Sequence, residues 1–419
     1  MKLPHDVQLA RSVCAGCGCL CDDIEVNFRG DKLVGLQKAC PLGEEWLRGL
    51  GPIQPEALVK GRPVNVADAL FAMAKILHSA SSPLLVGLSE LTIEGLCEAA
   101  RLAEASGAIL IQWPEPPAGL SLSGLHAPEC SATLGEVRGT ADLVVFWRAD
   151  PLRTHPRHLE RFSLVPTLLR GQRVMVVVDA NRENSTAQEA VETLPLSSQA
   201  PAVAEDIEIV RALRLRIERP DTRKQQGPPP EIAQRLLERI RASRHAHFFL
   251  GEDAARSPAF WDELQSLAAH AREKHRITIS ALPAPGNGRG VVEVMTWQLG
   301  SQELAMKGDL LSAGATDLVF ALGMSGDVLS KSPFVKLNLP RITLASTLDP
   351  GAEASIRVPG LDPRLSATVV RSDGIHLSLD GRGGGAADPA VEILRQITRA
   401  TGKQTRSSPS EPPSPTSWA

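Results

Sequence analysis

Residues 83–113 have the sequence PLLVGLSELTIEGLCEAARLAEASGAILIQW, and this stretch decides the fold class. PLLVGL at 83–88 is an unbroken apolar run, typical of a strand that is buried on both faces of a parallel sheet. Helical spacing of apolar residues follows over 91–105, and Gly107 is placed to end that helix. AILIQW at 108–113 is the next apolar run. The succession of strand, helix and strand predicts an α/β fold with a parallel sheet.

The same pattern continues through the rest of the chain. Helices are predicted after Asn65, which has the character of an N-cap, and over about 232–243 and 259–273. Further apolar runs of strand length alternate with such helical segments. These runs are LVVFW (143–147), VMVVVDA (174–180), AHFFLG (246–251), RITISAL (276–282), DLVFALG (317–323) and RITLAS (341–346).

Length and composition predict more than one domain. A chain of 419 residues is too long for a single hydrophobic core. RPDTRKQQGPPPE at 219–231 breaks the α/β pattern with charge, Gly and Pro. We therefore expect a cysteine-rich domain at 1–55, an α/β domain at 56–218, a linker at 219–231 and a second α/β domain at 232–400. Residues 401–419 are rich in Pro and Ser and are predicted to be a disordered tail.

Charge and hydropathy exclude several classes of function. The formal net charge at pH 7 is −3, which argues against a nucleic-acid partner or an acidic membrane surface. No apolar run approaches the length of a membrane span. The opening residues MKLPHDVQLARSV contain no apolar core of a secretory signal. A cytoplasmic location is therefore expected, and disulfides are not.

The densest chemistry lies near the N-terminus, where five of the seven cysteines fall within the first forty residues. Cys14, Cys17 and Cys21 form a C-x2-C-x3-C pattern, and Cys40 follows at a distance with a proline after it. Soft thiolate ligands at this spacing favour an iron–sulfur cluster over a zinc finger. A structural zinc ion and a site that has lost its metal are the alternatives. Cys19 is the expected spare, because a ligand pair with one intervening residue is sterically awkward in a cubane.

The residues between Cys21 and Cys40 predict a β-hairpin. Apolar residues alternate on both sides of 29–32, Arg-Gly-Asp-Lys, which has a typical turn composition. Such a hairpin would return Cys40 to the cysteine-rich loop. Asp22 and Asp23, at its start, are expected to cap backbone N–H groups or to face solvent, and not to act as acid and base.

Five blocks of sequence carry a resemblance to a known family. They are CAGCGCLCDDIEV (14–26), PLLVGL (83–88) followed by a helix and SGAI (106–109), SATLGEVRGTADLVVFWRADPLRTHPRHLERF (131–162), VVVDANRENSTA (176–187) and RSDGIHLSLDG (371–381). In this order they resemble the B subunit of formylmethanofuran dehydrogenase, of the molybdopterin oxidoreductase superfamily, and most of all its relative in the formyltransferase/hydrolase complex of methylotrophic bacteria. The resemblance covers most of residues 10–395. It implies a small N-terminal iron–sulfur domain followed by two α/β domains of the molybdopterin oxidoreductase (formate dehydrogenase) type.

The resemblance also implies a cofactor and partners. It assigns a 4Fe–4S cluster to Cys14, Cys17, Cys21 and Cys40, and leaves Cys19 as a non-ligand. The complex that it implies contains the A, C and D subunits as well, with hydrolysis on the metal-dependent A subunit and formyl transfer on the D subunit. Such a complex moves a formyl group from a tetrahydromethanopterin carrier to a methanofuran analogue and hydrolyses it to formate.

One position departs from the dehydrogenase members of this family. They ligate tungsten or molybdenum through a cysteine or selenocysteine about ten residues after the strand that starts at 107–108. Here that place falls at about Pro116–Pro117, which offers no side-chain ligand, and Cys130 lies too far along. The resemblance therefore implies a non-redox subunit that lacks the metal bis-pterin and has no catalytic residue of its own. The alternatives are an active molybdenum or tungsten dehydrogenase subunit and an electron-relay iron–sulfur subunit.

Two other motifs have open interpretations. The loop PGNGRG at 285–290 follows a strand, where such a loop is more often a turn than a phosphate cradle. In the superfamily such strand-end loops touch the pterin nucleotide, so a relic of that role is the alternative. The block His-Pro-Arg-His at 155–158 is polar and basic. One interpretation of His158 is a hydrogen-bonded structural histidine, and the others are a domain or subunit contact and a cofactor contact.

Overall fold

The structure is a computed structural model. It describes residues 10–114, 131–165, 173–198, 203–218, 228–282, 284–300, 315–381 and 384–401. Pro116–Pro117, Cys130, residues 219–227 of the predicted linker and residues 402–419 of the predicted tail lie outside these ranges.

Seventeen strands are present in the described residues. In chain order they are β1 (Ala10–Cys14), β2 (Cys21–Arg29), β3 (Lys32–Gln37), β4 (Glu56–Val59), β5 (Arg62–Val64), β6 (Pro83–Leu88), β7 (Ile109–Trp113), β8 (Leu143–Trp147), β9 (Val174–Asp179), β10 (Glu192–Pro195), β11 (His245–Leu250), β12 (Arg276–Ala281), β13 (Leu318–Leu322), β14 (Arg341–Ala345), β15 (Ala354–Arg357), β16 (Thr368–Val370) and β17 (His376–Ser378).

Twelve helices are present in the described residues, and four of them are helices that the sequence predicts. In chain order they are α1 (Pro41–Arg48), α2 (Val66–Ser79), α3 (Ile93–Ser106), α4 (Leu134–Thr140), α5 (Pro151–Thr154), α6 (Val203–Glu218), α7 (Pro228–Ala242), α8 (Glu252–Ala255), α9 (Pro258–Ala271), α10 (Gly288–Leu299), α11 (Gly326–Lys331) and α12 (Pro389–Thr401). A π-helical turn at Leu159–Ser163 and 3₁₀ turns at Thr186–Gln188 and Pro333–Leu337 complete the set.

Local signals in the sequence place the ends of individual elements well. Asn65 caps α2 by accepting a hydrogen bond from the Asp68 amide at 2.8 Å. Gly107 ends α3 in the left-handed conformation at φ 69°. These predicted boundaries are confirmed, because capping depends on neighbours that are close in sequence.

The strands form four sheets. Antiparallel strands make a three-stranded sheet of order β1-β2-β3 and a hairpin of β16 and β17. A five-stranded parallel sheet has the order β10-β9-β8-β11-β12. A seven-stranded sheet has the order β5-β4-β15-β14-β13-β6-β7, in which the β5–β4 and β4–β15 pairs are antiparallel and the other pairs are parallel. The α/β prediction is confirmed at this level.

The two large sheets are interleaved along the chain. The seven-stranded sheet combines β4–β7 with β13–β15, whereas the five-stranded sheet contains β8–β12. The predicted division into α/β domains at 56–218 and 232–400 does not describe these sheets, because β8 pairs with β11 across the predicted linker. An apolar run shows where a strand lies but not which strand it pairs with.

Helices cover the large sheets and give each sheet its own core. On the seven-stranded sheet, α12 packs between α2 and α3, and α3 also contacts α10. Large buried side chains of this core include Leu85, Phe320 and Leu344. On the five-stranded sheet, α6 packs between α7 and α9. None of the described helices is both long and apolar enough to span a bilayer.

The small N-terminal sheet is fixed to the C-terminal part of the chain. The Val13 amide donates a hydrogen bond to the Leu379 carbonyl oxygen at 3.1 Å. Arg364 donates to Asp31 at 2.9 Å, and its guanidinium lies 4.8 Å from the centre of the Phe28 ring. The sheet that carries the cysteine-rich loop is therefore packed against the C-terminal part of the chain.

Gly251, directly after β11, packs closely against the end of β8 in the five-stranded sheet. Its amide donates to the Trp147 carbonyl oxygen at 2.9 Å, and a Cβ there would lie 1.8 Å from the Arg148 carbonyl oxygen. We expect Gly251→Ala to lower the free energy of unfolding by roughly 3 kcal/mol or more, because backbone has to move. Urea denaturation measures the change.

The matched control for this variant is Gly135→Ala, on the exposed side of α4. The nearest atom to its added Cβ is Thr133 Oγ1 at 3.8 Å. Alanine favours the helix there by up to about 1 kcal/mol. Equal stability of the Gly251 and Gly135 variants would contradict the predicted close approach.

Candidate functional site: the cysteine-rich loop and its arginine wall

The cysteine-rich loop joins the first two strands. Cys14 ends β1 and Cys21 begins β2, and the two residues are paired across the sheet. Gly18 turns the loop at φ 80°. Cys40 is the N-cap of α1, where its sulfur accepts a hydrogen bond from the Gly43 amide at 3.4 Å. The predicted hairpin forms, with β2 and β3 antiparallel, and it returns Cys40 to this loop.

Gly43 shows how closely the sulfurs approach the start of α1. A Cβ added to Gly43 would lie 2.9 Å from Cys14 Sγ and 3.7 Å from Cys40 Sγ. Cys14 also interacts electrostatically with Cys17, Cys21 and Cys40. The structure thus brings the four predicted ligands together. As placed, no three or more His, Cys, Asp or Glu side chains of the described residues form a ready coordination shell.

Burial and mutual hydrogen bonding give the cysteine thiols different pKa values. Cys14, Cys17, Cys19 and Cys21 are buried, and Cys40 is half-buried. Burial raises the pKa of the Cys14 thiol to about 12, and the neighbouring thiolates raise it further. A hydrogen bond from Cys19 lowers the pKa of Cys17 to about 7, while the same bond and burial raise the pKa of Cys19 well above its usual value. Cys19 is therefore the thiol that donates and Cys17 the sulfur that accepts.

This donor set fits an iron–sulfur cluster or a zinc ion. Two of the four soft sulfurs, those of Cys14 and Cys40, lie beside Gly43, and a side chain at that glycine would collide with Cys14. A buried thiolate without a positive partner is costly, and a bound cation removes that cost. The four sulfurs of Cys14, Cys17, Cys21 and Cys40 would hold the metal, and Cys19 would stay outside the ligand set as a hydrogen-bond partner of Cys17.

Two arginines from a distant part of the sequence face the cysteine loop. Arg157 donates two hydrogen bonds to the Asp23 carboxylate, both at 2.8 Å. Arg161 donates to both Asp22 and Asp23. Arg157 also donates to the Lys38 carbonyl oxygen at 2.5 Å. The two aspartates are thus half-buried ion-pair partners, and the expectation that they cap backbone groups or face solvent was wrong.

A third arginine completes this arginine wall, the surface formed by Arg157, Arg161 and Arg371. Arg371 binds Asp373 through two hydrogen bonds of 2.8 Å, and Asp373 accepts from the Leu134 amide at 2.7 Å. Its positive charge acts on Asp22 and Cys19. Sequence reasoning missed this wall. The only available signal was the pair of adjacent carboxylates after Cys21, which needs a cationic partner when it is buried.

His158 is a core residue. Its ring is 1% exposed and packs edge-on against Phe146, Phe162 and Phe249. Nδ1 is 2.7 Å from the Ser163 hydroxyl. The structural interpretation of this histidine is therefore confirmed. Within the block at 155–158, Arg157 makes the contact with the N-terminal sheet.

The glycine-rich loop at 285–290 is a packed turn. Gly286 has φ 107°, and a Cβ there would lie 2.6 Å from the Ser89 carbonyl oxygen. The buried Asn287 side chain donates to the Leu91 carbonyl oxygen at 3.0 Å and accepts from the Val370 amide at 2.8 Å. Its polar atoms are thus used within the protein.

A carboxylate occupies the strand-end crevice of the seven-stranded sheet. Glu90, just after β6, accepts hydrogen bonds from the Ser325 amide at 2.9 Å and from the Ser346 hydroxyl at 2.8 Å. Ser325 and Ser346 follow β13 and β14, so one side chain links the carboxyl ends of three strands. This is the edge at which nucleotide phosphates bind in open parallel sheets, and a negative charge disfavours them there.

Known proteins resemble this chain in sequence and in fold. No family model matches the chain. The B subunit of tungsten-containing formylmethanofuran dehydrogenase 2 from Methanocaldococcus jannaschii is 25% identical over 421 residues, which cover 89% of this chain and 93% of that protein. The protein of the same name from Methanococcus maripaludis is 33% identical over 216 residues, 48% of each chain. This chain is a homologue of the formylmethanofuran dehydrogenase B subunit.

A solved structure shares the fold of this formylmethanofuran dehydrogenase homologue. It is a chain of the formyltransferase/hydrolase complex FhcABCD from Methylorubrum extorquens, whose X-ray structure contains methylofuran. The TM-score is 0.63 at 20% sequence identity, and the match covers 82% of this chain and 98% of that chain. At this identity the likeness concerns the fold alone.

The burial of His158 predicts a pH dependence of stability. Burial lowers the pKa of His158 to about 3, whereas an unfolded histidine has a pKa of about 6.5. The unfolded state then binds the additional proton as pH falls below about 6.5, so stability decreases toward acid by about 1.4 kcal/mol per pH unit from this group until about pH 3. We expect urea denaturation of His158→Phe to show a slope smaller by that amount between pH 6 and pH 4. An unchanged slope would place a charged histidine in the fold.

Proposed function

We propose that this chain is the B subunit of a complex of the formyltransferase/hydrolase type in methanofuran-linked one-carbon metabolism. The observation that carries the proposal is the extent of the match: homology covers 93% of a formylmethanofuran dehydrogenase B subunit, and the fold match covers 98% of an FhcABCD chain. The expected partners are the A, C and D subunits, with hydrolysis on the A subunit and formyl transfer on the D subunit.

The proposed cofactor of this subunit is a 4Fe–4S cluster. Cys14, Cys17, Cys21 and Cys40 would ligate it, in an N-terminal iron–sulfur domain formed by β1–β3 and α1. A bound cluster supplies a one-electron redox centre and a cross-link between the loop and the helix. The close approach of Gly43 to two of the sulfurs supports this assignment.

The proposed subunit has no metal–pterin chemistry of its own. The two large sheets would be the remains of the α/β domains of the molybdopterin oxidoreductase type. Pro116–Pro117 supply no ligand where dehydrogenase members have a cysteine or selenocysteine. The hydrogen bonds of Glu90 to Ser325 and Ser346 support the proposal from the structure, because this carboxylate lies where a dinucleotide phosphate would be expected. The role that remains is to organise the assembly.

One observation favours a second function. Both curated relatives carry the name of a tungsten-containing dehydrogenase. An active dehydrogenase subunit with molybdenum or tungsten bis-pterin is therefore the alternative.

Metal and pterin analysis of the purified complex separates the two functions. We expect iron and acid-labile sulfide at about four atoms of each per copy of this chain, with neither tungsten nor molybdenum nor extractable pterin. Stoichiometric tungsten or molybdenum with pterin would establish the dehydrogenase function instead. Zinc in place of iron would overturn the cluster assignment.

Serine variants test the proposed ligand set within this loop. We expect Cys14→Ser to lose most of the iron of the complex, because a hydroxyl replaces a soft ligand. Cys19→Ser is the matched control and should keep its iron, because serine still donates the hydrogen bond to Cys17. Loss of iron from the Cys19 variant with retention in the Cys14 variant would reverse the assignment.

A further inference from the structure

Arg161 lies against the Cys21 end of the cysteine-rich loop. Its guanidinium donates hydrogen bonds to the carboxylates of Asp22 and Asp23, the two residues that follow Cys21, and its positive charge acts on Cys21. Its positive charge also acts on Cys19. The side chain is 14% exposed, so solvent screens this charge only weakly.

The backbone of Arg161 is fixed by the core of the five-stranded sheet. Arg161 lies in the π-helical turn Leu159–Ser163, which is closed by the bond from the Leu164 amide to the Leu159 carbonyl oxygen at 2.8 Å. The next residue, Phe162, is buried against His158. Arg161 therefore reaches the cysteine loop from a turn that packs on the five-stranded sheet, and not from the N-terminal sheet.

A positive charge beside an iron–sulfur cluster shifts its reduction potential in a defined direction. Reduction adds a negative charge to an iron–sulfur cluster and its sulfur ligands. A nearby positive charge and N–H···S hydrogen bonds stabilise the reduced state more than the oxidised one and raise the reduction potential. A nearby carboxylate has the opposite effect.

We infer that Arg161 is a positioning residue for the ligand Cys21 and that it raises the reduction potential of the cluster, an inference that rests on the proposed 4Fe–4S cluster. Arg161 thereby connects the electronic state of the cluster to the five-stranded sheet. The ion pairs with Asp22 and Asp23 hold the guanidinium beside Cys21, and its positive charge acts on that ligand through space.

The test is an EPR-monitored redox titration of the purified complex. We expect Arg161→Gln to shift the midpoint potential of the cluster to a lower value than in wild type. Arg161→Lys keeps the charge but loses the planar fork of donors, and its midpoint should lie between the two. Iron and acid-labile sulfide are measured on every sample.

Two control variants separate the charge effect from loosening of the loop. Arg48→Gln removes the same charge from α1, where Arg48 is 63% exposed and pairs with Glu44, and it should leave the potential unchanged. Asp23→Asn breaks the same ion pair as Arg161→Gln but removes a negative charge, so the potential should rise. A purely structural role predicts shifts in the same direction for the Asp23 and Arg161 variants.

The outcomes are distinguishable. A wild-type complex without iron and sulfide overturns the proposed function and this inference together. A wild-type cluster whose midpoint is not lowered in Arg161→Gln overturns the inference alone. If Arg161→Gln loses the cluster, Arg161→Lys decides, and a midpoint equal to that of wild type overturns the inference.

Discussion

The contact between the carboxylates of Asp22 and Asp23 and the guanidinium groups of Arg157 and Arg161 joins the cysteine hairpin to the five-stranded sheet. These charges are half-buried or better, so each is costly without its partner. The pairing therefore holds the segment that contains Arg157 and Arg161 against the cysteine loop. Arg371 adds a third positive charge, which acts on Asp22 and Cys19.

The interleaved sheets make this contact possible. The chain builds part of the seven-stranded sheet, crosses to complete the five-stranded sheet, and returns to finish the first. The returning segment also supplies the β16–β17 hairpin and Leu379, against which the N-terminal sheet packs. Both large units therefore touch the cysteine-rich loop: the five-stranded sheet through Arg161 and the returning segment through Arg371. A cluster in this loop would lie where the three units meet.

The glycine-rich loop at 285–290 and the histidine-containing block at 155–158 show that a short motif does not by itself establish a ligand site. His158 and Asn287 each have the chemistry of a ligand contact, and both are used inside the fold. Burial decides the matter, because a polar group in a core has to find a partner there. Glu90 is the reverse case: nothing in its sequence context indicates a role, yet it links the ends of three strands.

The sequence by itself determined the α/β class, the main strands and helices, the hairpin after Cys21 and the close grouping of Cys14, Cys17, Cys21 and Cys40. These features depend on periodicity, turns and caps, which act over a few residues. The order of the strands, the domain division and the arginine wall were decided by the tertiary structure alone. Asp22 and Arg161 are 139 residues apart, and no local pattern records which distant partner a buried charge or a strand edge will meet.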